Sequence, residues 1–488
     1  MTDTAQTGTH TAEPGQQDRQ AVDPKALLLI GVLVASAFVM ILNETILSVA
    51  LRQLSQELGV ATTTAQWVTS GFLLTMAVVI PTTGFLLERF TPRQVFLASL
   101  TSFSAGTLLS ALAPGFPILL AGRVVQACGT AVMIPLLMTS VMRLIPENRR
   151  GSMMGTIGIV IAVAPALGPT IGGAILSGLG WRWMFWLVLP LAIAALLIGA
   201  RWLRLDSETR KVPLDVLSVI LSALGFGGLL YGLSSIGEGG GGHAVPPLVP
   251  ILGGLAVLSV FVWRQLRLQR RDRALLDLRP FESRDFVVSL TLTGLLFMCL
   301  LGVASIMLPL YLQTVLDASA FESGLAVLPG GLALGLLGRP VGSLYDRIGP
   351  RPLVIPGTVA MATGLWLFTT LGHGSAITTV VIYHVIMMIG LALMMTPLMT
   401  QALGSLTEHL HSHGSAILAT LQQVAGALGT AVFVTVAAVA SGAGSTGPDA
   451  DGLRVAFMIA GAIGLIAVAT SLLLSKHKSS SAAGGHGH

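Results

Sequence analysis

Fourteen long apolar runs, separated by short polar stretches, leave this chain few ways to fold. They fall at approximately 26–51, 64–87, 94–113, 116–141, 151–179, 183–203, 214–236, 246–264, 285–312, 321–345, 352–371, 376–403, 414–440 and 454–475. A bilayer core about 30 Å thick is crossed by roughly 20 apolar residues in a helix, and these runs reach that length. They are continuous rather than alternating, which excludes a transmembrane β-barrel. Only 10% of the residues are charged, against roughly 25% in a soluble domain. Backbone groups in hydrocarbon find no water to bond, so each run must be helical. The expected fold class is an all-α polytopic membrane protein.

An even number of spans puts both termini on one side of the membrane. With the termini inside, Arg52, Arg182 and Arg454 are the basic residues of the outer face, and Arg123 and Arg339 lie within spans. The rest of the 27 Lys and Arg are then cytoplasmic, as the positive-inside rule requires. The net charge of +5 therefore reports orientation beside anionic lipid, with no nucleic-acid surface implied. Residues 1–25 and 476–488 are low in complexity and are expected to be disordered tails. The run GEGGGGH (237–243) reads as a flexible outer loop rather than a phosphate cradle. No P-loop, GxSxG, HExxH or CxxC is present, so no enzyme, cofactor or metal site is expected. Cys128 and Cys299 sit inside apolar runs, as small buried hydrophobes do.

One polar phrase is written twice. GFLLERFTPR (84–93) follows the second run and GSLYDRIGPR (342–351) follows the tenth, both on the cytoplasmic side. Same-side copies imply a parallel repeat about an axis along the membrane normal. The domains expected are a six-helix bundle at 26–203, two additional helices with a basic linker at 204–284, and a second six-helix bundle at 285–475. Gly84 and Gly342 permit close backbone approach. Glu88 and Asp346 sit at helix ends, with Arg89, Arg93, Arg347 and Arg351 around them. Such a charged knot can make and break as two bundles rock; charges that only fix topology are the alternative.

These motifs resemble the major facilitator superfamily, and specifically its fourteen-helix drug:proton antiporter-2 branch. The doubled phrase is similar to the superfamily's loop motif G-x-L-a-D-r-x-G-r-k. Its second copy keeps Asp346 and Gly349, whereas the first has Glu88 and Thr91 at those places. AGRVVQACGTA (121–131) resembles the motif with a membrane-embedded Arg, here Arg123. APALGPTIGG (164–173) resembles the antiporter motif of the fifth helix, with Ala164 at its leading glycine and Gly168, Pro169, Gly172 and Gly173 retained. LNETILSVALRQL (42–54) resembles L-D-x-T-I-V-N-V-A-L-P with Asn43 at the usual Asp, Ser48 at the usual Asn and Arg52 at the usual Pro. Glu44 supplies an acid one position later; the LNET form is similar to a variant recurring among bacterial multidrug and lincomycin-type exporters. WRWMF (181–185) resembles the junction between the fifth and sixth helices. The resemblance covers about residues 26–475. It implies a 6+2+6 arrangement of two pseudo-symmetric bundles, and a glycine-smooth fifth helix at their seam that seals the outer side and is associated with export.

Ionisable groups inside a span are expensive and mark function by default. Glu44 and Arg123 both lie roughly 10 Å below the outer surface, at 1.5 Å per residue, so they can meet or share a water-filled cavity. A carboxylate open alternately to two sides is the minimum part for proton coupling. A fixed Glu44–Arg123 bridge, or an acid that merely faces a polar vestibule, is the alternative. Gln126, one turn on from Arg123, is expected to face the same cavity. Asn43, Gln66, Trp67, Tyr311, Tyr383, His384, Gln422 and Gln423 are the further polar or aromatic candidates for its lining, each with packing as the alternative.

The function these readings imply is a proton-coupled exporter of amphipathic or lipophilic small molecules, of the antibiotic-resistance kind. It is expected in the bacterial cytoplasmic membrane with both termini inside, working by alternating access as a monomer. Its expected partners are small-molecule substrates, protons and the lipid bilayer. An exporter of one endogenous metabolite or lipid shares the fold and is the alternative. A membrane enzyme needs clustered acids or metal ligands at one interface, and none is present in the sequence.

Overall fold

The computed structural model describes residues 24–60, 62–202, 215–237, 246–271, 273–441 and 448–475. Most of both expected tails and the glycine loop after Gly237 lie outside the described residues. Within the described residues each apolar run forms helix. In chain order the long helices are α1 (Lys25–Ile46), α2 (Thr64–Arg89), α3 (Pro92–Ala111) and α4 (Phe116–Leu144). Then come α5 (Glu147–Gly178), α6 (Arg182–Trp202), α7 (Val216–Ile236), α8 (Leu248–Gln269) and α9 (Arg284–Thr314). The last are α10 (Phe321–Ile348), α11 (Arg351–Phe368), α12 (Ile377–Gly404), α13 (Glu408–Ala440) and α14 (Ala450–Ser471). Among the described residues 13 of these are long and apolar enough to cross a membrane. The remaining one, α5, has 32 residues and gathers its charges, Glu147, Arg149 and Arg150, at its start.

Two interruptions refine the reading of the runs. After α1 the chain tightens into a 3₁₀ turn at Leu47–Ala50 and continues as a short helix, Leu51–Leu58. Gly59 ends that helix at φ 64°, a left-handed conformation that costs glycine little. Within α9 the stretch Leu300–Met307 is π-helical. There Gly302 faces α13 so closely that a Cβ would lie 2.5 Å from the Phe433 ring.

The doubled phrase corresponds to doubled packing. In the first bundle α3 packs on α4 and α6, α1 on α5, and α2 on α4. In the second, α11 packs on α12 and α14, α9 on α13, and α10 on α12. The match reaches individual residues. A Cβ on Gly106 of α3 would lie 2.5 Å from the Gln126 nitrogen, and one on Gly364 of α11 would lie 2.8 Å from the Met387 nitrogen. Gly129 of α4 meets Phe103 of α3 in the way that Gly390 of α12 meets Met361 of α11. Small residues at these crossings let helices approach where no water drives them together.

The bundles meet along two seams, α5 against α10 and α2 against α13. Helix α7 lies in the second seam, on both α2 and α13, and α8 packs on α7. Leu191 and Leu197 of α6 and Leu248, Leu252 and Leu255 of α8 are exposed. An apolar exterior is what a lipid-facing surface requires.

Candidate functional site

Four helices build one buried polar cluster in the first bundle. Arg123 on α4 is 0% exposed, and its guanidinium reaches three ways. Nε donates to the Val68 carbonyl on α2 at 3.2 Å, and Nη1 donates to Asn43 Oδ1 on α1 at 3.1 Å and to Gln126 Oε1 at 3.0 Å. Gln126 Nε2 in turn donates to Asn43 Oδ1 at 3.2 Å and to Thr107 Oγ1 on α3 at 2.7 Å. The Phe72 ring lies 4.0 Å below the guanidinium carbon, a cation–π contact of the kind that strengthens when desolvated. The positive charge is thus held by neutral oxygens and an aromatic face. Arg123 Nη2 and Asn43 Nδ2 are buried with no hydrogen-bond partner, leaving two donors free to meet an incoming acceptor.

Glu44 does not bridge to Arg123. It is half-buried, interacts with Arg123 through charge, and has no ion pair or hydrogen bond among the described residues. Successive helical residues differ by about 100° in direction, so with Asn43 turned to α4 its neighbour looks elsewhere. The sequence placed Gln126 beside Arg123 but paired Arg123 with Glu44; Asn43 was one of the general cavity candidates, and Thr107, Phe72 and the Val68 carbonyl were not identified. A buried threonine one helix away carries no distinguishing pattern.

The other cavity candidates have different neighbours or are only half-buried. Trp67 stacks on Tyr231 of α7, centroids 5.8 Å apart. Tyr311 donates its hydroxyl to the Gly372 carbonyl at 2.8 Å and packs edge-on to Phe457. Tyr383 packs on Phe368, and His384 is 1% exposed and seated on Gly330. Gln66, Gln422 and Gln423 are half-buried, and Gln422 Nε2 has no partner. Among the described residues none of these is hydrogen-bonded to the Arg123 cluster.

The doubled phrase does join the bundles, at the end of the molecule that carries the basic loops. Asp346 accepts from the Gly151 and Ser152 backbone N–H groups near the start of α5, at 2.7 and 2.9 Å. Beside it Gly342 and Gly338 of α10 lie on Gly151 and Gly155 of α5, where a Cβ on Gly342 would stand 2.0 Å from the Gly151 carbonyl oxygen. In the other copy Glu88 lies 3.2 Å from His413 Nε2 on α13, and Gly84 makes room for that imidazole. Thr139 and Ser415 hydrogen-bond at 3.0 Å between α4 and α13. Arg93 donates to the Ala200 carbonyl at 2.7 Å, while Arg347 is exposed and Arg351 half-buried. The departures between the copies have a backbone meaning. Gly349 takes φ 77°; its counterpart Thr91 is extended at φ −65° and closes a capping box with Gln94.

One expectation needs correction. The glycines of the antiporter-like stretch were expected at the seam, sealing its outer end. Gly168 instead faces α1 of its own bundle, where a Cβ would meet Thr45 Oγ1 at 2.1 Å, and Gly173 has nothing within 4 Å. Gly172 is buried, and Pro169 continues the helix. The α5–α10 contact starts at Gly151 and Gly155 at the basic end and runs on to Val163, from which a Cβ on Gly335 would lie 2.7 Å. Farther along, Leu167 and Ile171 of α5 and Leu328 and Leu332 of α10 are exposed.

Residues 33–430 match the Major Facilitator Superfamily, and the chain belongs to that family of small-molecule transporters. It is 42% identical over 408 residues to the lincomycin resistance protein LmrB of Listeria monocytogenes, covering 84% of this chain and 86% of that one. LmrB of Bacillus subtilis is 41% identical over 431 residues, 88% of each chain. The multidrug resistance protein B homolog of Mycobacterium tuberculosis is 32% identical over 415 residues, 84% of this chain and 76% of that one. Among solved structures, the human organic anion transporter MFSD10 superposes with a TM-score of 0.64 at 16% identity, over 93% of this chain and all of that one. The proton:xylose symporter XylE gives the same score and identity over 93% and 96%. These likenesses establish the major facilitator fold and a multi-pass membrane transporter.

Proposed function

We propose that this chain is a proton-coupled efflux transporter of the bacterial cytoplasmic membrane, with both termini inside. It exports amphipathic or lipophilic small molecules as a monomer. The observation that carries the reading is the stitching of the two bundles at the basic end by both copies of the phrase. With the basic end in the cytoplasm, this is a state shut on the inside.

Glu44 then takes a proton from outside. Rocking of the bundles parts the stitched end and turns the site inward. Substrate arriving from inside favours release of that proton, and the empty-handed return is avoided because each ligand favours one state. Arg123, desolvated and held by Asn43 and Gln126, supplies a fixed positive field beside the acid. Its free Nη2 and the Asn43 amide are available to a substrate acceptor. The names of the relatives, lincomycin resistance and multidrug resistance, support a substrate of this class.

The test is expression in an efflux-deficient bacterium. Lower ethidium accumulation and a raised inhibitory concentration of lincomycin are expected, both lost on adding an uncoupler. Unchanged accumulation with the protein present in the membrane overturns the proposal.

A further inference from the structure

The two extra helices are attached to the stitched end by more than chain connectivity. At their basic end Asp215 and Arg264 form a two-bond ion pair, 2.7 and 2.8 Å. Next to it Gln265, 0% exposed, donates to Ser218 at 2.7 Å and accepts from the Leu275 and Leu276 N–H groups at 2.8 and 3.2 Å. Gln269 accepts from the Leu278 N–H at 3.2 Å. The segment after α8 is therefore held by α8 itself and enters the core, with Leu275 at 1% and Asp277 at 5% exposure. Its next backbone group completes a chain: the Asp277 N–H donates to His413 Nδ1 at 3.2 Å, and His413 Nε2 faces Glu88 at 3.2 Å.

An imidazole that accepts at Nδ1 carries its proton on Nε2. His413 thus holds the linker with one nitrogen and the α2 acid with the other. The charged and titratable groups around it are Glu88 from α2, and Asp277 with its partner Arg279 from the linker. On its own helix His411 stands among Arg143, Arg150 and Glu408. At the other seam Asp346 instead takes two backbone N–H groups and glycine meets glycine.

We propose that His413 is a positioning residue of the transport cycle. It latches α2, α13 and the linker of the α7–α8 pair together, so that the pair is released from the inner gate only when the latch breaks. This rests on the reading of the basic end as the cytoplasmic gate.

Ser415 is 0% exposed behind the latch and serves as the reporter. Full-length protein with Cys128 and Cys299 replaced by alanine and carrying Ser415→Cys is labelled in inside-out vesicles by a membrane-impermeant maleimide. His413→Phe loses both bonds, and labelling is expected to accelerate on the order of tenfold. His413→Gln has an amide that accepts from Asp277 and donates to Glu88, so it stays slow. Slow labelling of a folded Phe variant or fast labelling of the Gln variant overturns the proposal. Where the Phe variant fails to fold, Glu88→Leu, which removes the α2 partner alone, is expected to accelerate labelling in the same way, and slow labelling of that variant overturns the proposal. Labelling needs neither substrate nor gradient, so its failure leaves the efflux reading standing, and a failed efflux assay leaves the latch measured.

Discussion

Arg123 on α4 and Asn43 on α1 are joined by a hydrogen bond of 3.1 Å, and this contact sets which side of α1 looks into the first bundle. Asn43→Ala leaves a buried guanidinium with one acceptor fewer and the Gln126 amide nitrogen with only Thr107 to donate to. A loss of about 1–3 kcal/mol is expected for such an orphaned group. Thermal unfolding in detergent measures it; an unchanged midpoint means that Arg123 finds another partner.

Asp346→Asn tests the backbone clamp at the α5–α10 seam. The carboxylate accepts two N–H bonds, and an amide can present only one oxygen and must turn its NH₂ toward a donor. The closed state is expected to lose about 1–3 kcal/mol. Spin labels on the basic ends of α5 and α10 then report a larger fraction of widened distances, and an unaltered distribution contradicts the clamp.

Gly342→Val tests the same seam by volume. The Cβ has no room against the Gly151 carbonyl, and neither backbone can step aside without parting the helices. Overpacking of this kind costs about 1–3 kcal/mol. Gly173→Val, at a position with open space, is expected to express and transport as the parent does. Equal behaviour of the two variants contradicts the placement of the seam contact.

The α7–α8 pair carries an acid-sensitive tie. The hydrogen bonds from Arg264 hold the Asp215 carboxyl below its usual range. A carboxyl depressed on folding stabilises above its unfolded pKa of about 4 and loses that contribution as the pH falls through the folded value. Asp215→Asn is expected to cost about 1 kcal/mol at neutral pH, after allowing for screening by water. It also removes the part of the acid dependence that this carboxyl contributes below pH 4. An acid limb identical to the parent's counts against the tie.

The spans, the repeat and the two-bundle architecture were legible because hydropathy and a doubled motif are properties of the chain itself. Arg123 and Gln126 were legible as neighbours because they stand one turn apart on one helix, whereas the pairing of Arg123 with Asn43 rather than Glu44 depends on how α1 is rotated. What stayed hidden depends on how helices rotate against their neighbours. Trp67 faces α7 rather than the Arg123 cluster, and Gly168 faces α1 rather than α10. Residue spacing within one helix does not encode either choice. The partner of Glu88 was hidden for the same reason, since His413 arrives from α13 and is positioned by a linker whose path no periodicity describes.

The most direct measurement of proton-coupled export uses purified protein in liposomes with an imposed pH gradient and a lipophilic cationic dye. Wild type is expected to move dye only while the gradient stands, with protons moving the opposite way. Glu44→Gln is expected to bind dye and fold as wild type does, yet to lose gradient-driven movement by at least an order of magnitude, as removal of the only carboxylate on α1 requires. Dye movement that ignores the gradient, or a Glu44→Gln protein that responds to it fully, contradicts the proposal.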